Sequence, residues 1–529
     1  MTSFHRNRLR FVGIVCVLAA LFPLGGASQT DAGPIGGQFD TPTKELPSVG
    51  IESFEAAWQV IYDTHFDTNF NGVDWPAVRA ELRPKAKSAR NVKQLRTVIE
   101  EMIGRLGQSH MALIPRESAV EFNAKRNKDA AKPAADSKDN AEETDSSVAD
   151  ESERDSNASG GSGSAGFDVR LLDGKLTVSR VDPRGPAKEA GIKPGWIVQS
   201  IDKRSVSDLL KKLPADLNSR EVPFMAWRLA KAQVQGPVGS SLRVKFLDGM
   251  DNTPTLEVKR APDAGQPVKL GHLPTLYADW QKERLHAVDG SSVGLIRFNL
   301  WMAPISLPFD KAVDEFRQMD GIILDLRGNL GGLGAMVMGI SGHFLNERVS
   351  LGKMKTRGNE LEFFSNPRRV NPSGLKVEPY SGPLAILIDG VSLSTAEIFA
   401  GGMQAIGRAR IFGEPSPGQA LPALWDKLPN GDILYHAVAD FVSPSGIRLE
   451  GRGVIPDEPI RATRQDLLEG RDPALLAAMQ WIAKECKKKQ SAGISSRDEL
   501  ARRTGVSPVL SLSVDPGQAG RPVLPNVNE

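Results

Sequence analysis

Three short stretches of this chain hold residue types that together could break an acyl bond. The first is Asp389-Gly390-Val391-Ser392-Leu393-Ser394-Thr395-Ala396-Glu397, which follows the apolar run Leu384–Ile388. An apolar strand that turns tightly into a helix presents a serine hydroxyl beside free helix N–H groups, as an activated nucleophile requires. A serine at a helix start is also a common N-cap, so this stretch alone leaves both roles open. The second stretch is Asp325-Leu326-Arg327-Gly328-Asn329-Leu330-Gly331-Gly332, directly after the apolar run Gly321–Leu324. A glycine-rich loop there exposes backbone N–H groups to an anion or an oxyanion. It holds no Gly-Lys-Ser/Thr and no G-x-G-x-x-G pattern, which argues against nucleotide binding, and taken singly it reads as an ordinary strand–helix turn. The third is Leu106-Gly107-Gln108-Ser109-His110, where a histidine beside a serine is a candidate general base. The other histidines past the N-terminus are His65, His272, His286, His343 and His436, so a histidine base has few alternatives. No H-E-x-x-H motif occurs, so neither metal nor other cofactor is expected.

The elements that must position these residues can be read along the chain. At about 150 residues per domain, 529 residues suggest three or four units. The formal net charge of +2 speaks against a nucleic-acid protein, and two cysteines exclude a disulfide scaffold. Arg6, Arg8 and Arg10 precede an uncharged apolar run from Phe11 to Gly26, and Gly25 and Ala27 offer a small-x-small site. Residues 1–27 therefore read as a secretory signal peptide, with an uncleaved anchor as the alternative, and the protein as exported, to the periplasm or the extracellular space. Without them no stable membrane span is expected, and Cys486 is the only cysteine left. Residues 28–47 read as a flexible leader and 48–123 as helical, with Phe54, Trp58, Ile61 and Tyr62 forming one stripe and a second helix at about Val92–Leu106.

Residues 124–165 hold ten acidic and six basic residues, with Val148 the only large aliphatic. Such a stretch cannot bury enough surface to offset its ordering entropy and reads as a disordered acidic Ser/Gly linker. Residues 166–262 show short strands with one or two helices. Residues 263–486 show the buried strands Val293–Phe298, Gly321–Leu326 and Leu384–Ile388 alternating with helical patterns, then a closing helix at 473–485. The fold class is thus a multidomain α/β protein, with an N-terminal helical region, a β-rich domain and an α/β core. Residues 487–529 read as a disordered tail.

Residues 166–262 resemble a PDZ domain through Gly166-Phe167-Asp168, Ser179-Arg180-Val181, Gly185-Pro186-Ala187, Ala190-Gly191-Ile192, Pro194-Gly195 and Ile197 to Asp202. The resemblance implies β-augmentation by a peptide C-terminus, its carboxylate held near Gly166 and Phe167. The position after the Pro-Gly turn is usually acidic in that family and is Trp196 here.

Taken together, residues 48–485 without the acidic linker resemble the tail-specific (carboxy-terminal processing) serine proteases, in the branch related to the tricorn protease core. Phe70 to Trp75, Gly413-Glu414-Pro415 and Glu450-Gly451-Arg452-Gly453-Val454-Ile455-Pro456-Asp457 add to the match. The resemblance implies a core of ClpP/crotonase type, Ser394 as nucleophile, and Gly332 with Thr395 as oxyanion hole. The Ser-Lys branch places its lysine 25 residues after the nucleophile, and that position is Gln419 here, with Ala405 where that branch may carry an Asp. The tricorn-like branch uses Ser-His and a distant Glu, which implies a tetrad of Ser394, His110, Ser109 and Glu450. Which of Ser109 and Glu450 touches the imidazole is open at this stage.

The expected function is an exported, ATP-independent serine endopeptidase acting on polypeptides, with the PDZ domain recruiting or gating substrate C-termini. A mobile PDZ domain on the acidic linker would suit gating. Neither a nucleic-acid partner nor a specific oligomer is implied. The competing expectations are a catalytically silent PDZ scaffold, for which Gln419 is the motive, and an acyl-CoA enzyme on the same core architecture.

Overall fold

The computed structural model describes residues 15–17, 46–116, 162–215, 217–271, 273 and 275–504. Most of the leader 1–45, the acidic stretch 124–161 and residues 505–529 lie outside the described residues. The fold is mixed α/β: N-terminal helices, a β-rich domain and a core with a largely parallel sheet.

The helices are Leu46–Thr64, Trp75–Ser88 and Val92–Gly104. Asp74 caps the second by accepting from Ala77 N at 2.9 Å, with Pro76 in its first turn, and Asn91 caps the third by accepting from Gln94 N at 2.9 Å. Trp58 and Trp75 each donate an indole N–H to the other's carbonyl. The apolar stripes bury Phe54, Ile61, Trp75, Leu82 and Ile99 in one cluster, which Leu113, Leu428 and Leu434 join from outside the helices. Arg96 grips the fully buried Asp432 through two hydrogen bonds, at 2.9 and 2.7 Å. The helices are thereby seated on the core.

The β-rich domain folds around a sheet in the order Thr255–Lys259, Ser241–Leu247, Ile197–Ile201, Lys175–Val181, Phe167–Leu172. The helix Glu221–Val234 packs beside Phe167–Leu172 and buries Phe224 and Trp227. Trp196, the departure from the expected acidic residue, meets Phe246 edge-on. This domain is packed on the core. Arg464 donates to the carbonyls of Gly195 and Asp248, and Arg461 to that of Leu171.

The core sheet runs Trp280–His286, Ser292–Phe298, Gly321–Asp325, Leu384–Ile388, Arg410–Gly413, Glu458–Pro459. Only the first pair is antiparallel. Gly321–Asp325 and Leu384–Ile388 are buried at every position. Apart from Asp325 at the end of the first, both runs are apolar throughout, as in parallel strands covered on both faces. Ile322, Leu324, Ile386 and Ile388 face one cluster, while Ile323, Ala385 and Leu387 face another that includes Ala478 and Ile482 of the last helix.

A second sheet has the order Gly331–Leu333, Val15–Val17, Ala423–Lys427, Ile433–Ala437, Ala112–Ile114. It joins the glycine-rich loop to the strand that follows His110.

Two boundaries differ from the sequence reading. The first helix begins at Leu46, inside the segment expected to be a flexible leader. The last helix runs Pro473–Thr504, well into the tail expected to be disordered. Between Pro473 and Gly505 only Gly493 opposes a helix, and Asp498-Glu499-Leu500-Ala501-Arg502-Arg503 is mostly of good helix formers.

Candidate active site

Ser394 sits where the Leu384–Ile388 strand has turned into the helix Thr395–Ala405, with φ 56° and ψ −116°. A non-glycine residue persists in that conformation only if its surroundings hold it there. Here the Ser394 N–H donates to Gln419 O at 3.0 Å and to Glu397 Oε2 at 2.9 Å. Its Oγ is buried and has no hydrogen-bond partner. Ser392 is committed elsewhere: its Oγ donates to Leu326 O at 2.8 Å and accepts from Asp389 N. Of the two serines in the turn, only Ser394 keeps an uncommitted hydroxyl.

The glycine-rich loop is locked against this turn. Leu393 N donates to Asn329 O at 2.8 Å, and Gly331 N donates to Asn329 Oδ1 at 3.0 Å. Gly332 has φ 149°, and a Cβ there would lie 2.3 Å from Trp301 O, so a side chain is excluded. Thr395 Oγ1 donates to Gly332 O at 2.9 Å, which joins the two candidate oxyanion-hole residues directly beside Ser394. Asp389 fastens both loops at once. Its Oδ1 accepts from Gly328 N at 3.0 Å and Val391 N at 2.9 Å, and its Oδ2 accepts from Arg170 Nε at 2.7 Å. Arg170 comes from the β-rich domain and also grips Asp168, whose Oδ1 accepts from Trp227 Nε1. Burial by itself would raise the Asp168 carboxyl, but Arg170, Arg180 and Lys231 outweigh it and hold the group well below the usual range.

His110, Ser109 and Glu450 come together as one chain of hydrogen bonds. Glu450 Oε1 accepts from Ser109 N at 2.9 Å, and Glu450 Oε2 accepts from Ser109 Oγ at 2.9 Å. Ser109 Oγ lies 2.7 Å from His110 Nδ1. Since the hydroxyl proton goes to the carboxylate, the serine oxygen accepts from Nδ1–H, and a neutral imidazole then presents Nε2 as a bare acceptor. In the order that sequence left open, Ser109 stands next to the ring, and Glu450 bonds Ser109. Burial pushes His110 down to about 3 and Glu450 up to about 7. The hydrogen bond between Ser394 Oγ and His110 is not made in this structure.

The other described histidines are used elsewhere or face solvent. His65 spans Asp67 O and Gln108, His343 pairs with Asp310, His436 pairs with Asp426, and His286 is exposed. Gly166 and Phe167 stand at the start of the first long strand of the β-rich domain. Gly166 takes φ 75°, and its carbonyl accepts from Asp182 N at 2.8 Å.

Sequence reasoning missed Glu397. This buried carboxylate accepts from Ser394 N, Ser416 Oγ (2.7 Å), Gly418 N (2.8 Å) and Gln419 N (3.0 Å), and burial raises it to about 7. The Ser394-Thr395-Ala396-Glu397 spacing is that of a capping box, so the signal was present. Gln419, at the lysine position of the other branch, contributes its main chain: its N–H to Glu397 and its carbonyl to Ser394. The next residue donates its N–H to Glu450 Oε2 at 3.0 Å. Asp389 and Arg170 were missed as well, because their pairing crosses two domains.

Comparison with known proteins follows the same lines. Peptidase family S41 matches residues 292–460, and the tricorn protease C1 domain matches residues 52–104. The chain is similar to carboxyl-terminal-processing peptidase 2, chloroplastic, of Arabidopsis thaliana: 26% identity over 292 residues, covering 54% of this chain and 50% of that protein. It is similar to the carboxy-terminal processing protease CtpB of Bacillus subtilis (strain 168), with 25% identity over 300 residues, covering 56% and 55%. The chain thus spans about half the length of these curated relatives. Among solved structures, the photosystem II D1 C-terminal processing protease superposes with a TM-score of 0.50 at 19% identity, over 78% of this chain and 93% of that one. Mature CPAF does so with a TM-score of 0.51 at 14% identity, over 83% and 97%. At such identities these structures speak for the fold. The residues around Ser394 therefore lie in the region that matches peptidase family S41, downstream of the region that matches the tricorn protease C1 domain, in a chain that resembles the carboxyl-terminal processing proteases.

Proposed function

We propose that this chain is a serine endopeptidase that cleaves polypeptides with Ser394 as nucleophile and His110 as general base. The observation that carries the reading is the His110–Ser109–Glu450 chain, which fixes the imidazole tautomer and shares the Gln419–Ala420 backbone with the nucleophile turn. Ser394 Oγ attacks the scissile carbonyl carbon while its proton passes to His110 Nε2. The N–H groups of Gly332 and Thr395 receive the developing oxyanion, each worth on the order of 3 kcal/mol. The C–N bond then breaks, and the leaving amine takes the proton from His110. Water, deprotonated by the same nitrogen, releases the acyl group from Ser394. The positive charge that forms on the imidazole is offset through Ser109 by Glu450. The uncommitted Ser394 Oγ closes onto Nε2 when substrate fills the cleft, as catalytic hydrogen bonds often tighten only in the complex.

In this reading the β-rich domain is a PDZ module that receives substrate C-termini near Gly166 and Phe167 and touches the active site through Arg170 and Asp389. Residues 1–27 direct export to the periplasm or beyond. The competing reading is a silent scaffold that binds peptides through the same domain, and an intact Ser109–His110–Glu450 chain speaks against it. A fluorophosphonate probe separates the two. The protease reading expects the label on Ser394 and none on Ser394→Ala; a scaffold leaves wild type unlabelled.

A further inference from the structure

Beside Ser394, two strands stand with one strand's width between them. One wall is Gly331–Leu333, which carries the candidate oxyanion residue Gly332. The other begins at Ala423, in a hairpin whose far neighbour is the strand after His110. The strand in the gap is the chain's own Val15–Val17. It runs antiparallel to the first wall, with Val15 opposite Leu333, Cys16 opposite Gly332 and Val17 opposite Gly331. On its other side Val15 pairs with Ala423. A strand held on both edges is recognised by its main chain, and any extended segment free of charge and proline can make the same bonds. The stretch Phe11 to Phe22 is free of charge and proline. Twenty-eight residues separate Val17 from Leu46. Fully extended they reach on the order of 90 Å, so the covalent link does not prevent this docking within one molecule.

We propose that the apolar N-terminal segment around Val15–Val17 is an intramolecular occupant of the substrate slot, so that a chain still bearing it is self-occluded. The proposal rests on the reading of this gap as the protease's substrate slot. With Cys16 opposite Gly332, the segment covers the ground on which an oxyanion would form, and a substrate must displace it. If it holds the slot nine-tenths of the time, the site reacts about tenfold more slowly than when it is free.

The test uses the full chain and a full chain carrying Val15→Pro and Val17→Pro. The substitutions remove two of the three main-chain donors of the occupying strand and touch no residue of the active site. Two readouts are taken: the rate of fluorophosphonate labelling at Ser394, and amide hydrogen exchange in peptides spanning 331–333 and 423–427. The proline chain should label about tenfold faster and lose protection in both peptides. A synthetic peptide of residues 11–22 added to it should restore the protection. Equal labelling rates with unchanged protection in both walls would overturn the proposal while leaving the protease reading intact. If neither chain labels, the protease reading fails, and hydrogen exchange still decides whether the segment occupies the gap.

Discussion

Glu450 holds Ser109 at two points, main-chain N–H and side-chain hydroxyl, each at 2.9 Å. The carboxylate thereby fixes both where Ser109 stands and which way its proton points. The tautomer of His110 follows from that orientation. A glutamine keeps the shape but can turn an N–H toward Ser109 and reverse the proton order. Glu450→Gln should therefore lower kcat by at least two orders of magnitude, with a much smaller effect on KM. Steady-state hydrolysis of an unfolded protein substrate by the two forms checks this.

The pH profile should report Glu450 rather than His110. Burial keeps the free imidazole neutral across the working range, since it titrates at about 3. Burial raises Glu450 to about 7, and in the proposed mechanism it supports the imidazolium only when ionised. The expected kcat/KM rises with pH through about 7, and this limb should flatten in Glu450→Gln. An unchanged limb in that variant would assign it to another group.

Stability should move the other way. Glu397 and Glu450 ordinarily titrate at 4.5 and are raised to about 7 in the folded chain. Between those values the folded state holds protons that the unfolded chain has released. Stability therefore falls as pH rises from about 4.5 to about 7, and these two groups add no further slope above that. His110, lowered from 6.5 to about 3 by burial, pulls the other way up to about 6.5 and offsets one of the two carboxyls. Urea midpoints at pH 5, 6, 7 and 8 should therefore fall most steeply between pH 6 and 7.

Asp389→Asn should loosen both loops of the site at once. It leaves the nearly buried Arg170 without its interdomain carboxylate and weakens the acceptor for Gly328 and Val391. Breaking such a pair costs about 3 kcal/mol. Chemical denaturation should show that loss, together with slower fluorophosphonate labelling.

Gly332→Ala tests the oxyanion wall. The added methyl would sit 2.3 Å from Trp301 O at a φ of 149°, so the strand must shift away from Trp301. A loss of kcat on the order of 100-fold is expected in steady-state hydrolysis.

Much of this site was legible before the structure because its signals are local. Ser394 follows an apolar strand of the parallel-sheet kind, and Ser109-His110 follows the helix expected at about Val92–Leu106. The buried strands were found within a residue of their observed ends, because a run covered on both faces is apolar at every position. What was not legible depends on contacts between distant segments. Asp389 looks like a turn residue until Arg170 of another domain reaches it. The place of Ser109 between His110 and Glu450 needed coordinates, since both orders fit the same sequence. The helix past Lys487 was missed because composition there was weighed above local helix propensity.

The most direct test of the account is hydrolysis of an unfolded polypeptide by the purified chain from pH 5 to 9, with Ser394→Ala and His110→Ala beside it. The account predicts cleavage by wild type and near-complete loss in both variants. Urea denaturation should show both variants folded across this range. Undiminished cleavage by folded His110→Ala would contradict it, since the proton of Ser394 would then be going to a different base.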